Sequence, residues 1–139
     1  MRIVLDTNVL IAAFISRGIC SELLERCARG HTLLSSTFIL QEFRSALIDK
    51  FGFSRKEADQ AVSLLKSRMV MVDPPPLKQS ACRDRDDDMI LSTALSANAR
   101  CVVSGDEDLL VLKKFHGVDI ISPTKFWAYE AGRLPGPAE

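Results

Sequence analysis

The chain has 139 residues, 47% of them hydrophobic, which suffices for one domain with a sizeable core and is too little for two ordinary domains. Its 18 basic and 18 acidic side chains balance, so no net charge attracts it to nucleic acid or to an anionic membrane. Binding of a polyanion would therefore need a local basic patch or a metal ion. The four cysteines are expected to be buried free thiols, and His31 and His116 ordinary surface or loop residues, because no zinc-ligand spacing is present.

The first half of the chain begins with a short aliphatic run that ends at Asp6, a pattern typical of a buried strand. Cap residues follow at Asp6 to Asn8, at Ser36 and at Ser54, and Glu57 completes a capping box. In chain order we predict strand 3–5, helix 9–14, helix 20–29, strand 32–34, helix 37–50 and helix 54–68.

The second half repeats this alternation. It is predicted to contain strand 69–72, a helix from the acidic run to about residue 98, strand 101–103, helix 107–114, strand 118–121 and a last helix from Pro123. Alternating strands and helices favour an α/β domain: a three-layer α/β/α sandwich with a mainly parallel sheet of about five strands. We assign this domain to residues 1–133 and expect a disordered tail at 134–139.

Acidic residues follow the ends of two predicted strands, where open α/β sheets bind their ligands. Asp6 ends the first strand, and Asp106 and Asp108 lie just beyond the fourth. Residues 3–8 and 102–108 contain no lysine or arginine to balance these charges. The sequence therefore predicts carboxylates that repel one another across a crevice.

The acidic run from Asp84 to Asp88 opens the helix that leads into the fourth strand. On a helical wheel with about 100° per residue, Asp87 lies at the centre of the apolar stripe that follows it. Asp86 and Asp88 lie about 100° to either side and are expected to face solvent or the rim. Glu42 shares a helix face with Ile39 and Ala46, where a carboxylate is costly unless it is paired or binds a metal.

Two interpretations of these acids remain open at this point. Aspartates at helix N-termini cap the helix and complement its dipole, which explains most of the acidic run taken residue by residue. The convergence of several acids on one crevice instead favours a bound cation, and an all-oxygen set suits Mg²⁺ or Mn²⁺. Carboxylate-held divalent ions support phosphodiester hydrolysis without a nucleophilic side chain or a phosphate-binding glycine loop, and neither motif is present.

Four segments in chain order resemble those of PIN-domain nucleases, in particular the small VapC-like toxins. They are the opening Ile-Val-Leu-Asp-Thr-Asn-Val-Leu at 3–10, the Glu42 region at 36–47, Arg-Asp-Arg-Asp-Asp-Asp with Ile-Leu at 83–91, and Val-Ser-Gly-Asp-Glu-Asp-Leu-Leu at 103–110. The similarity runs from residue 3 to about residue 127. One departure is Arg85, where the family often has proline.

This resemblance implies catalytic, metal-binding acids at Asp6, Glu42, Asp87 and Asp106, supported by Asn8, Ser104 and Asp108. It implies an endoribonuclease that uses Mg²⁺ or Mn²⁺ to cut single-stranded RNA. A cytoplasmic location is expected separately, because Asp6 interrupts the apolar residues 1–14 and no signal-peptide cleavage site follows them. It also implies a homodimer that is the toxin of a toxin–antitoxin pair and binds a small antitoxin protein.

Two other functions compete with that expectation. One is a catalytically inert module of the same fold that binds RNA or a protein partner, although such a module would not need four acids. The other is a haloacid-dehalogenase-like phosphatase, which requires Asp-x-Asp after the first strand. Here that position reads Asp6-Thr7-Asn8, which disfavours the phosphatase.

Overall fold

The computed structural model describes residues 1–133, which form a sheet of parallel strands flanked by helices. The strands are β1 (Arg2–Leu5), β2 (Thr32–Ser35), β3 (Met69–Met71), β4 (Cys101–Val103), β5 (Lys114–Phe115) and β6 (Val118–Ile121). The helices are α1 (Thr7–Ile15), α2 (Ile19–Gly30), α3 (Thr37–Phe51), α4 (Arg55–Lys66), α5 (Arg85–Ser96), α6 (Glu107–Leu110) and α7 (Phe126–Glu130), the last preceded by a 3₁₀ turn at Pro123–Lys125.

The strand order β3-β2-β1-β4-β6-β5 places the first strand in the middle of the sheet. Parallel pairs join all neighbours except β5 and β6, which are antiparallel. The chain steps outward from β1 to β2 and β3, then crosses back to start β4 beside β1. Right-handed crossovers that run toward opposite edges of the sheet put their helices on opposite faces of it. The direction in which successive strands are added reverses between β1 and β4. A crevice at the carboxyl ends of these two strands is therefore the expected ligand site.

The predicted fold class is confirmed, but the expected number of strands is wrong by one. The predicted helix 107–114 ends at Leu110, and Lys114–Phe115 instead pairs with β6. The turn is formed by His116 and Gly117, with φ of 47° and 86°. Two consecutive positive φ values suit a two-residue hairpin turn that matches the twist of the strands. The hairpin pairs Phe115 with Val118.

The core lies between the sheet and the helices and consists largely of fully buried aliphatic side chains, with Phe43 and Phe126 as its largest members.

The prediction of free thiols is confirmed for all four cysteines, of which Cys27 and Cys101 are buried. His31 lies in the bend between α2 and β2, as a loop residue, but its side chain is only 10% exposed and its Nε2 lies 2.5 Å from Glu130 Oε2. In residues 1–133 no single helix is long and apolar enough to cross a membrane. Helices α1 and α2 reach that length and apolar composition only when taken together, and they are bent by 106° relative to each other. The tail prediction for 134–139 falls outside the described residues.

The loop between β3 and α5 is fixed to the helices on both sides of it. Asp73 accepts hydrogen bonds from the Thr37 amide and hydroxyl at 2.8 and 3.1 Å. Ser92 Oγ donates to the Pro75 carbonyl at 2.5 Å. The loop therefore forms a defined wall over the start of α3 and α5.

Asp88 holds the end of this loop, and its predicted position toward solvent is wrong. It is buried and accepts hydrogen bonds from Ser80 Oγ, the Ala81 amide and the Cys82 amide, at 2.7, 3.0 and 2.9 Å. The wheel could not find this because the donors come from a loop that folds back over the helix. Burial alone would raise the pKa of Asp88, but the three hydrogen bonds outweigh it and lower that pKa.

We expect Asp88→Ala to destabilise the protein by about 1–3 kcal/mol, because it leaves loop donors without their partner in a buried place. Urea unfolding followed by circular dichroism measures this change. Asp59→Ala is the matched control, since Asp59 forms an exposed ion pair with Arg44, and such pairs contribute about 0–1 kcal/mol. Equal unfolding midpoints for the two variants would contradict the role of Asp88.

Candidate active site

A cleft of about 270 Å³ opens at the carboxyl ends of β1 and β4, at the predicted switch point. Its walls carry acids from four separate parts of the chain. The acidic lining residues are Asp6, Glu42, Asp84, Asp86, Asp87 and Asp106, and the polar or basic ones are Thr7, Asn8 and Lys50. All four acids that the sequence singled out therefore meet in one place.

Asp6 is buried at the end of β1 and caps α1. The Asn8 amide donates to Asp6 Oδ1 at 2.7 Å, and Ser104 Oγ donates to Oδ2 at 2.5 Å. These hydrogen bonds lower the pKa of Asp6, but burial and the nearby Asp106 charge outweigh them and raise it. The Asn8 contact comes from its backbone, while its exposed side chain lines the cleft.

Asp87 is the most unusual carboxylate of the site. Only 6% of its surface is exposed, as the helical wheel predicted, and its Oδ2 has no hydrogen-bond partner in the described structure. Burial first, then the charges of Asp106, Asp84, Asp6 and Asp108, raise the pKa of Asp87 to about 7. A buried oxygen without a donor, surrounded by other acids, is the arrangement that a cation would stabilise.

Asp106 and Asp108 complete a group of three carboxylates with Asp87, with one oxygen of each within 4.8 Å of the others. The Asp106 amide donates to Ser104 Oγ at 2.9 Å, so Ser104 links the Asp6 and Asp106 sides of the cleft. Asp106 in turn accepts from the Asp108 amide at 2.8 Å. The structure thus brings an oxygen of Asp108 within 4.8 Å of oxygens of Asp87 and Asp106, although the sequence suggested only a supporting place for it. The exposed Arg83 pairs with Asp108 at 2.9 Å.

Glu42 reaches the cleft from α3 as a half-buried side chain. Thr7 Oγ1 donates to its Oε1 at 2.8 Å, which fixes its direction. Burial raises the pKa of Glu42 to about 7, with further contributions from a hydrogen bond to Asp86 and from the Asp86 and Asp6 charges. Neighbouring carboxylates of this kind concentrate negative charge that a bound cation would offset.

The donor set of this cleft fits a hard divalent cation. The ligand atoms offered are carboxylate oxygens, with hydroxyl and amide oxygens beside them and no thiol or imidazole among the lining residues. Such a set suits Mg²⁺ or Mn²⁺ better than zinc. The unpartnered Oδ2 of Asp87 supplies a buried atom that such an ion would satisfy.

Comparison with models of known protein families identifies the family of this chain. The profile of the PIN domain matches residues 2–108, which include every acid of the cleft. The chain belongs to the PIN-domain family. PIN-domain proteins are nucleases that generally use divalent metals, and the acidic group found here offers ligand atoms for one.

Two solved structures share the PIN fold with this chain. One is VapBC2 from Rickettsia felis bound to a DNA fragment from their promoter, with 17% identity and a TM-score of 0.62 over 88% of this chain and 98% of that one. The other is VapBC-1 from nontypeable Haemophilus influenzae, with 20% identity and a TM-score of 0.65 over 90% of this chain and 100% of that one. At these identities the similarity concerns the fold. Comparison with curated proteins gives no match.

Three residues of this PIN-domain site were not identified from the sequence as parts of it. Thr7 and Asp86 were assigned to helix capping and to the rim, yet Thr7 orients Glu42, and Asp86 contacts it. Lys50 is a basic residue to which the sequence pattern gave no place in the site, and only the structure places it in the cleft. A signal existed for Lys50, because it lies eight residues after Glu42 and so falls near the same helix face.

We expect the metal-free protein to lose stability as pH rises from about 5 to about 8. The folded-state pKa values of Asp87 and Glu42 are raised to about 7, whereas unfolded carboxyls titrate near 4. Between these values the folded state binds more protons, so its free energy of unfolding falls with increasing pH. Thermal melting in EDTA should show a midpoint lower by a few degrees at the higher pH.

Added Mg²⁺ or Mn²⁺ should raise the melting midpoint most at the higher pH, where the carboxylates are ionised. Asp87→Asn should remove much of both effects because it eliminates one titrating group and one ligand. A flat pH profile in EDTA for the unaltered chain would contradict the proposed repulsion.

Proposed function

We propose that this PIN-domain protein is a metal-dependent endoribonuclease that hydrolyses phosphodiester bonds of single-stranded RNA with Mg²⁺ or Mn²⁺. The observation that carries the proposal is the buried Asp87 carboxylate, which has an unpartnered oxygen and offers a ligand atom within 4.8 Å of those of Asp106 and Asp108. Burying such a group of carboxylates without a cation costs free energy. In the PIN-domain family the bound metal serves nuclease activity.

In this proposal Asp6, Glu42, Asp87 and Asp106 hold the metal, directly or through water. The bound ion supplies a water of lowered pKa and stabilises charge on the phosphate. The chain's own residues fix the geometry: Ser104 and the Asn8 amide orient Asp6, and Ser104 also receives the Asp106 amide. Glu42, oriented by Thr7, positions the attacking water, and Asp108 supports Asp87 and Asp106.

RNA needs a cationic contact in a cleft that is otherwise acidic. Lys50 is the one basic side chain among the described lining residues, and it forms no ion pair with the described acids. By contrast, Arg44, Arg68 and Lys114 are paired with Asp59, Glu25 and Asp119. We therefore assign to Lys50 the contact with a phosphate that flanks the scissile one.

We further propose that the chain acts as the toxin of a toxin–antitoxin pair, forms a homodimer and binds a small antitoxin protein. Support comes from its size and from two VapBC structures that share the fold over nearly the whole of their own matched chains. A cytoplasmic location goes with this role, because the substrate would be cellular RNA.

Asp6→Asn and Asp87→Asn should each abolish RNA cleavage while the fold is retained, since each removes a ligand charge without changing side-chain size. A mixed-sequence single-stranded RNA is incubated with purified protein and Mn²⁺, with and without EDTA, and the products are resolved on a gel. EDTA should stop cleavage by the unaltered chain. Asp59→Asn is the control, because Asp59 lies on α4 outside the cleft and should leave the rate unchanged.

Full manganese-dependent activity in both cleft variants would refute the assignment of the acids. RNA binding by the unaltered chain without any turnover in Mg²⁺ or Mn²⁺ would favour the inert binding module instead.

The partner proposal predicts a small reading frame next to the gene whose product suppresses the chain's effect on growth. Co-expression of the two should give one complex by size-exclusion chromatography with light scattering, and the chain alone should elute as a dimer. A chain that is monomeric, harmless when expressed and without such a neighbour would have another role.

A further inference from the structure

A second cavity, of about 620 Å³, lies beside the acidic cleft and has no part in the chemistry proposed above. Its apolar walls are Phe38 from α3, Met89 from α5, and Pro76 and Leu77 from the loop between β3 and α5. Polar side chains surround these walls, with Arg85 and Asp86 at the start of α5 among them. We refer to this cavity as the Phe38 pocket.

The walls of the Phe38 pocket are fixed before any ligand arrives. Asp73 ties one end of the loop to the start of α3, and Ser92 holds the Pro75 carbonyl against α5. Asp88 fixes the other end through three hydrogen bonds from residues 80–82. Three consecutive prolines, at 74–76, stiffen the segment between these contacts. A preformed pocket loses little entropy when it binds a rigid planar group.

The charges around the pocket decide between a phosphate and a neutral group. Asp86, Asp88 and Arg85 all line the pocket, so acidic side chains outnumber basic ones among the lining residues. Two acidic side chains against one basic side chain disfavour a phosphate in this pocket. Phe38, Leu77 and Met89 instead offer apolar surface for a flat, uncharged ring.

The Phe38 pocket adjoins the acidic cleft. Asp86 lines both cavities, and its contact with Glu42 places it at their boundary. Lys50 lies in the same cleft on the later turns of α3, whereas Phe38 lies on its first turn. A strand that places one phosphate at the acids can therefore extend toward Lys50 on one side and toward Phe38 on the other.

We propose that the Phe38 pocket binds an unpaired nucleobase of the RNA strand, next to the scissile phosphate, and that it sets the sequence preference. This inference rests on the endoribonuclease function proposed above. Phe38 stacks on the base, as aromatic side chains do in single-strand recognition. The Arg85 guanidinium donates hydrogen bonds to acceptors on the edge of the base, and the Asp86 carboxylate accepts a hydrogen bond from the exocyclic amino group of the base.

Arg85 offers an unusually clean test of this assignment. It is the first residue of α5, a position where the backbone amide has no helical partner and proline is well tolerated. The preceding Asp84 already has extended dihedrals, φ −91° and ψ 125°, which a following proline requires. Arg85→Pro therefore removes the guanidinium and preserves the start of the helix.

The test measures binding of fluorescein-labelled A10, C10 and U10 RNA by anisotropy in Mn²⁺, with Asp87→Asn as the parent so that no probe is cut. Phe38→Ala should weaken binding of the preferred probe about tenfold. Phe38→Trp should restore it, because the stacking surface returns. Phe51→Ala is the matched control, an exposed phenylalanine on the same helix about 20 Å along the axis, and should stay within twofold.

Two further variants distinguish the contribution of base contacts to RNA affinity from the contribution of charge. Lys50→Gln should reduce the salt dependence of binding, whereas Phe38→Ala should leave that slope unchanged because it loses no charge. Arg85→Pro should bring the affinities for A10, C10 and U10 closer together. Equal affinities for the three probes in the parent would overturn the assignment of Arg85 and Asp86.

The outcomes distinguish the pocket from the nuclease function. If the unaltered chain cuts RNA but Phe38→Ala binds as Phe51→Ala does, the pocket proposal is wrong and the nuclease stands. The pocket then has another occupant, such as a side chain of a protein partner. If the parent binds RNA through Phe38 but the unaltered chain never cuts it, the nuclease is wrong and the base pocket stands. If no probe binds and none is cut, both are wrong.

Discussion

The electrostatic repulsion among carboxylates at the end of the central strands is the constraint on which the rest of the structure depends. Asp6, Asp87 and Asp106 lie in one cleft, and burial together with their mutual charges raises the pKa of Asp6 and Asp87. A fold gains nothing from such a group by itself. The surrounding elements must therefore be stable enough to hold it, and the fully buried aliphatic side chains of β1 and β4 directly below the cleft provide that stability.

Three of the cleft carboxylates are oriented by hydrogen bonds from neighbouring residues. Ser104 and the Asn8 amide hold Asp6, Thr7 holds Glu42, and the Asp108 amide binds Asp106. Asp87 differs because its Oδ2 is buried and has no hydrogen-bond partner in the described structure. Oriented groups with free lone pairs are what a metal centre requires before the ion arrives, since little reorganisation then opposes binding.

The start of α5 connects this centre to the surface beside it. Four consecutive positions there have three different environments. Arg85 and Asp86 border the Phe38 pocket, Asp87 lies with Asp106 and Asp108, and Asp88 holds the preceding loop. The helix dipole favours negative charge at this end and offsets part of the repulsion. One turn of helix thus links the proposed chemistry to the proposed recognition of a base, and a change in the loop would affect both.

The sequence by itself determined the fold class, the parallel core strands and the inward direction of Asp87, because these follow from local periodicity. Period-two and 3.6-residue patterns are properties of short segments and can be found without a partner. The tertiary structure alone decided that Asp88 is buried, that Asp108 joins Asp87 and Asp106, and that residues 114–115 form a strand. It also placed Lys50 and Phe38 beside the acids. Each of these depends on a hydrogen bond, an adjacent charge or a packed surface from a distant part of the chain, and no local pattern encodes such a contact.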